Sequence, residues 1–366
     1  MNRPDLHPST GRRGWLIVSA LVLAALAALY LLRVPLVLAV VPRLAEHRLA
    51  IDTAATLDDG LHVGLCGTGS PFPDEDRAGP CTLVLAGKRL FVFDAGSGAA
   101  RNIGKMGFDA GRIEAVFLTH FHSDHIDGLG ELLLQRWVAG QHDTPVPVHG
   151  PAGVEPLVQG LMQAYRPDQG YRVAHHGNAV VPASGFGATA RTFAAVGTQP
   201  VPVLRDGELE ISAFAVDHAP VHPAVGYRIR YKGRSVVLSG DTKQSDAVQQ
   251  AARQADLLVH EALSRPMLAG LRQAAARQGR NNLAQLFLDI TDYHASPEQA
   301  AETARDAQVG YLLLNHIVPP LPLPGMETAF LADAPAIFDG PIRVGRDGDL
   351  FSLPVGSTAI TLRSSF

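Results

Sequence analysis

Between His120 and His125 the chain carries three imidazoles and a carboxylate, on His120, His122, Asp124 and His125. Such groups cost free energy to bury without partners, so packing does not account for their density. A transition metal does. Neutral imidazole and carboxylate are ligands that Zn²⁺ accepts, and catalytic zinc sites keep a position open for water. Two-metal hydrolysis needs about seven protein ligands around ions roughly 3.5–4 Å apart, more than this stretch supplies. The further candidates are His218, Asp241 and His316, each placed where an apolar run ends. The expected division gives His120, His122 and His218 to one zinc, and Asp124, His125 and His316 to the other. Asp241, in the turn Ser239-Gly240-Asp241-Thr242, is shared. The second set is richer in carboxylate, so manganese or iron is an alternative there.

Strands and helices must deliver these groups to one place. Residues 115–118 read as a buried strand and 126–134 have the apolar spacing of a helix, so the dense motif sits on a strand-to-helix loop. Further strands are expected over 62–66, 82–86, 89–93, 146–149, 209–216, 225–231, 235–238, 257–259 and 311–314. Helices are expected after residue 153, over 247–254, through most of 266–290, and after Ser296-Pro297-Glu298, where Ser and Pro suit a helix start. Every polar cluster falls where a strand runs out, which in a layered α/β protein gathers them into a single edge-on site. Gly96-Ser97-Gly98 could cradle a phosphate, although a simple turn explains it better. Residues 166–206 are the least regular and are expected to form a substrate-facing insertion. Within them His175 and His176 fit a substrate loop or the surface better than a metal, since adjacent side chains on irregular backbone usually point apart. His222 reads as a plain loop residue, and His142 and His149 as structural or exposed.

Lys and Arg total 31 against 35 Asp and Glu, a formal charge of −4, and no basic run exceeds two residues. That balance does not suggest a nucleic-acid binder. The N-terminus differs in kind: residues 15–32 contain no charge, which is close to the length needed to cross a bilayer, and Arg12-Arg13 precede them. The expected organisation is a signal anchor over 1–42, a linker over 43–60 and a catalytic domain over 61–366. The N-terminus stays cytoplasmic and the domain faces the periplasmic or extracytoplasmic side. A cleaved signal peptide is the main rival; Arg12-Arg13-Gly14-Trp15-Leu16 also approaches a twin-arginine export signal. In an oxidising compartment Cys66 and Cys81 could form a disulfide, and two buried free thiols are the equal alternative.

His120-Phe121-His122-Ser123-Asp124-His125, followed in order by His218, Ser239-Gly240-Asp241-Thr242 and His316, resembles the metallo-β-lactamase superfamily. Within it the chain is most similar to the ribonuclease Z and arylsulfatase-like branch. The matching strings are Gly67-Thr68-Gly69-Ser70-Pro71, Asp94-Ala95-Gly96-Ser97-Gly98, Gly150-Pro151-Ala152-Gly153, Asp217-His218 with Gly226-Tyr227-Arg228, and His260-Glu261-Ala262. The likeness spans about residues 61 to 353. It implies an α/β (α+β) fold of four layers, an αββα sandwich, with a dinuclear zinc site along one edge and the ligand division given above.

Two zinc ions lower the pKa of a shared water and so supply a nucleophile near neutral pH, with Asp124 placed to orient it. By the resemblance, His260 is the general acid for the leaving oxygen, with Glu261 and His294 holding the proton network. A structural pair behind the ligands is the alternative for His260 and His294. The resemblance also implies a tRNA-gripping arm between the positions of Tyr227 and Asp241, where this chain has only residues 228–240. The expected substrate is therefore a small phosphodiester or sulfate ester, and nucleic acid is not the expected partner. A lactone or thioester hydrolase, a tRNA 3′-processing endoribonuclease, and a metal-bound scaffold or sensor are the other readings. Oligomeric state is open, with a homodimer compatible.

Overall fold

The structure is a computed structural model that describes residues 10–194 and 196–366, with side chains from residue 14 onward. It parts into two compact units between Ile51 and Asp52. The first unit is the helix α1 (Thr10–Leu49), long and apolar enough over Gly14–Leu49 to cross a membrane. Its apolar residues fall on all sides with no polar face, and its 40 residues, with Pro35 and Pro42 inside, span about 60 Å. Residues 1–9 of the expected anchor lie outside the described part. The helix continues through 43–49, where the sequence suggested a linker, because Arg43 to Leu49 are good helix formers with no glycine among them. From Asp52 onward that linker belongs to the second unit. Asp52 caps a 3-10 turn over Thr53–Thr56, Thr53 bonds the carbonyls of Met106 and Gly107, and Ala54 is buried.

The second unit is built on two sheets. Its strands are β1 (Gly60–Gly67), β2 (Cys81–Ala86), β3 (Arg89–Phe93), β4 (Ile113–Phe117), β5 (Val146–Gly150), β6 (Ala188–Thr192), β7 (Val201–Asp206), β8 (Leu209–Ala215), β9 (Val225–Tyr231), β10 (Arg234–Leu238), β11 (Leu257–Leu263), β12 (Leu312–Val318), β13 (Ile342–Val344), β14 (Asp349–Pro354) and β15 (Thr361–Ser364). The order in one sheet is β15-β14-β1-β2-β3-β4-β5-β6, and in the other β13-β12-β11-β10-β9-β8-β7. Period-two alternation drives the layering. Leu61, Val63 and Leu65 of β1 point between the sheets with Phe91, Phe117 and Tyr227, while Cys66, Leu83 and Leu85 face outward. Each such fully buried side chain contributes roughly 1.5–3 kcal/mol. All of β1 is buried, as a strand covered on both faces should be.

Helices α2 (Ala99–Lys105), α3 (Ser123–Ile126), α4 (Leu129–Gly140) and α5 (Val154–His176) follow the first strands, and α2, α4 and α5 cover the outer face of the first sheet. Helices α6 (Asp246–Ala251), α9 (Pro297–Ala307), α10 (Met326–Leu331) and α11 (Ala334–Ile337) cover the second. The result is the four-layer αββα sandwich. Helices α7 (Arg265–Arg277) and α8 (Asn281–Asp289) stand apart in a small cluster of their own with Leu263 and Val318. A Cys66–Cys81 disulfide joins the end of β1 to the start of β2.

Residues 166–206 do not form a substrate-facing insertion. They continue α5 past Pro167 and then supply β6 and β7, the edge strands of the two sheets. Strands β11 and β12 are longer than the sequence suggests. Parallel pairing between them carries on through His260-Glu261 and Asn315, whose polar side chains interrupt the apolar pattern without interrupting the ladder.

Candidate metal centre

One rim of the sandwich collects the carboxyl ends of β3, β4, β8 and β10 and the later residues of β11 and β12. After β4 the chain turns at Thr119, His122 caps the one-turn helix α3, and that turn fans Asp124 and His125 toward the centre. Tyr227, fully buried on β9, donates its hydroxyl to the Leu118 carbonyl at 2.6 Å and braces the start of this loop. His316 is the extra residue of a bulge in β12, since Glu261 pairs with Asn315 while Ala262 pairs with Ile317. Its φ of 46° is left-handed, a conformation that re-aims the imidazole into the site.

All seven expected ligands converge. Donor atoms of His120, His122, His218 and Asp241 lie within 4.8 Å of one another, as do those of Asp124, His125 and His316. Asp241 Oδ2 is 3.3 Å from Nε2 of both His125 and His316, 3.8 Å from that of His120 and 3.9 Å from that of His218. That is the position of a carboxylate shared between two groups of imidazoles. Nε2 of His120, His125 and His218 is buried without a hydrogen-bond partner, an arrangement costly for a polar atom unless something coordinates it.

The opposite ring nitrogens are held. His125 Nδ1 meets Asp94 Oδ2 at 2.9 Å, His120 Nδ1 meets Thr119 Oγ1 at 3.0 Å, and His218 Nδ1 donates to the Tyr293 carbonyl at 2.9 Å. Asp94 also accepts from the Thr119 amide and hydroxyl, reaching them from a left-handed φ of 56°. Pinning Nδ1 leaves Nε2 free to face an ion, as ligating histidines are usually arranged.

The electrostatics agree with a cation. Burial pushes the His120 pKa well below its ordinary value and lowers those of His122 and His218, which favours the neutral, ligating form. Burial alone would raise Asp241, yet the imidazoles of His316 and His125 hold it well below the carboxylate range. Burial alone would lower His125, but Asp241 and Asp94 drive it well above. A buried pocket that holds carboxylates ionised and draws a proton onto an imidazole has negative charge to compensate, and divalent metal ions suit this donor set.

The proton network differs from expectation. His260 and Glu261 are neighbours on a strand and so point to opposite faces. His260 is fully buried on the side of Leu258 and Ala262, against the helical layer, with Nδ1 held by the Glu261 carbonyl at 2.7 Å. It does not face the ligands. Glu261 does, and its Oε1 accepts from the Thr242 and Ala295 amides and meets His294 Nδ1 at 2.9 Å. His294 lies with Asp241 and His316 within 4.8 Å, so this imidazole, not His260, stands over the ligand cluster.

A cleft of about 390 Å³ opens onto His122, Asp124, Asp241, His294 and His316. Its other walls are Phe72, Leu283, Leu286, Ile290, Tyr293 and Val318, together with Pro71 and Ser123. His175 and His176 end α5 exposed, His222 is exposed, and His142 bonds the Gly111 carbonyl. His149 stacks on Phe117 with ring centroids 4.7 Å apart. None of these is among the ligand clusters or cleft walls. Gly96 packs its bare Cα against Gly79 and the Asp124 carbonyl in a tight turn, while Ser97 and Gly98 line a separate open pocket with Arg101 and Lys105. Two features had a sequence signal that went unused: Asp94, at a strand end before glycines, and the spacing of Leu283, Leu286 and Ile290, which is one helix face.

A family model described as a β-lactamase superfamily domain matches residues 89–317. A ribonuclease Z of Mycolicibacterium gilvum is 40% identical over 297 residues, covering 78% of this chain and 94% of that protein. A ribonuclease Z of Mycobacterium bovis is 39% identical over 289 residues, covering 78% and 96%. Among solved structures, a metallo-β-lactamase-fold protein from Bacillus subtilis superposes with a TM-score of 0.57 at 21% identity, covering 81% of this chain and all of that one. The short form of human tRNase Z does so with a TM-score of 0.56 at 20% identity, covering 80% and 99%. At these identities the two structures speak for the fold.

Proposed function

The chain belongs to the metallo-β-lactamase superfamily of hydrolases, and on that premise we propose that it is a dinuclear metal-dependent phosphodiester hydrolase tethered to a membrane. The observation that carries this reading is the cradle itself, seven convergent donors, with Nδ1 of His120, His125 and His218 pinned and one further imidazole, His294, above them. Zinc in this cradle would polarise the ester and activate water near neutral pH.

The residues divide the remaining work. His120, His122 and His218 would hold one ion and Asp124, His125 and His316 the other, with Asp241 placed to serve both. Asp94 fixes the ring of His125, and Thr119 that of His120. Glu261 accepts from His294 Nδ1 and fixes the ring, which donates from Nε2 to the leaving oxygen as the imidazolium. His260 supports β11 from behind. The similarity to proteins named ribonuclease Z favours phosphorus over sulfur or carbonyl carbon as the electrophile, and it also favours one second reading, an endoribonuclease.

Helix α1 is the tether, with Arg12-Arg13 on the cytoplasmic side and the catalytic unit outside. The Cys66–Cys81 disulfide fits an oxidising compartment. Full-length protein in lipid nanodiscs, given zinc, should hydrolyse bis-p-nitrophenyl phosphate and leave p-nitrophenyl sulfate and a simple lactone untouched. Turnover of the sulfate or lactone alone would move the electrophile assignment, and no zinc-dependent turnover of any of them would sink the enzyme reading. For the tether, carbonate-resistant membrane association should vanish on deletion of residues 1–41.

A further inference from the structure

The cleft in front of the metal cradle has one wall of unusual character. Phe72, Leu283, Leu286, Ile290 and Val318 present hydrocarbon to it, and no Lys or Arg is among its lining residues. Three of the five come from α8 and its extension at positions i, i+3 and i+7. On the other side of α8, Ala284 and Phe287 are buried with Leu268 and Ala275, and Phe287 stacks on Phe72 at 5.7 Å; Leu283 and Ile290 are half-buried against the edge of the same cluster, which leaves Leu286 as the exposed member of the wall. A helix that served structure alone would turn polar residues to the cleft, yet Leu286 remains 47% exposed there. The apolar wall is continuous with the chemistry. Ile290 lies four residues before His294, whose ring stands above the ligand cluster.

Because the proton donor must stand at the leaving oxygen, the wall beside it must meet the body of the leaving alcohol. We infer that this wall is the binding subsite for an apolar leaving group, and that the preferred substrate is a phosphodiester whose leaving alcohol carries a hydrocarbon body. This rests on the phosphodiesterase reading above and specifies its substrate. A polynucleotide leaving group would instead need cations along the wall to meet its phosphates, and the wall has none. The reaction balances: the hydroxyl of water bonds to phosphorus, the P–O bond to the alcohol breaks, the alkoxide takes the His294 proton, and the proton released by the water restores His294 by way of solvent.

A series of methyl 4-alkylphenyl phosphates tests the subsite, because lengthening the 4-alkyl group from methyl to butyl enlarges the leaving phenol while barely changing its acidity. With the metal-loaded full chain in nanodiscs, kcat/KM should rise up to about fourfold per added methylene. In Leu286→Ser and in Ile290→Ser, each checked for an unchanged melting temperature, the rise should fall below about twofold per methylene. A flat series in the unsubstituted protein overturns the subsite and leaves the phosphodiesterase reading standing. An undiminished rise in both variants overturns it as well, by placing the alkyl group elsewhere. Absence of turnover of every member and of an RNA oligonucleotide overturns the parent reading and the subsite with it; cleavage of the RNA alone overturns the subsite and leaves the endoribonuclease reading.

Discussion

The metal cradle and the cleft wall face each other across one opening and are built on opposite terms. Cradle residues stand at or near the ends of buried strands, the rings of His120, His125, His218 and His294 are pinned by Thr119, Asp94, the Tyr293 carbonyl and Glu261, and the loop that carries four of the candidate ligands is braced from the other sheet by Tyr227. Most of the wall comes from α8 and its extension, part of an excursion between β11 and His294 that packs in a small cluster separate from the main cores, with Phe72 and Val318 beside it. Where reacting atoms must be placed to a fraction of an ångström, the sandwich supplies the rigidity. Where only a hydrocarbon surface must be offered, a peripheral helix pair suffices and can vary without disturbing the metal ligands.

Substitutions in the two regions should therefore fail differently, and the largest failure belongs to the cradle. Asp241→Ala removes the shared carboxylate, so zinc measured by mass spectrometry should drop from about two equivalents to below one, with turnover at background. His294→Ala should leave zinc content unchanged and lower kcat by roughly 10²–10⁴. Asp94→Asn, which touches no ion, should weaken zinc binding about 10–100-fold in competition with a chelator while kcat at saturating zinc stays within severalfold. Substitutions in the wall should change the ranking of substrates more than the rate of any one. The smallest effect lies in the packing beneath both regions. Burial, with help from Arg191, lowers His149 to a pKa of about 4. Unfolded, the same group titrates near about 6.5. The stability it contributes is thus complete above the unfolded value and is lost as pH falls toward the folded one. His149→Phe, which keeps a ring against Phe117, should flatten the fall in melting temperature between those two limits.

Much of the cradle was legible in the sequence, because metal ligation demands particular residue types and strand ends reveal themselves by where apolar runs stop. His120 to His125 announced the chemistry, and His218, Asp241 and His316 stood at the right places. Which of His260 and His294 lies beside the ligand cluster was not legible. Adjacent residues on a strand face opposite ways, and nothing in the string His260-Glu261-Ala262 says which of the two looks inward. Residues 166–206 read as irregular because Pro167 falls inside α5 and because β6 and β7 are edge strands with weak apolar alternation. The continuation of α1 past Pro42 was not legible because the apolar run stops at Val41 while the helix goes on through the charge-bearing stretch 43–49. The wall was overlooked for a different reason: its leucines look like core until the structure shows which face of α8 is already packed.

The central claim is that the cradle hydrolyses a phosphodiester with His294 as proton donor, and leaving-group dependence tests it most directly. Rates for a series of methyl aryl phosphates whose phenols span weak to strong acids should be compared for the zinc-loaded protein, His294→Ala and His260→Ala. A shallow dependence in the unsubstituted protein and in His260→Ala, becoming steep only in His294→Ala, is the predicted result. Equal slopes in the unsubstituted protein and His294→Ala, or a slope that steepens in His260→Ala instead, would contradict the account.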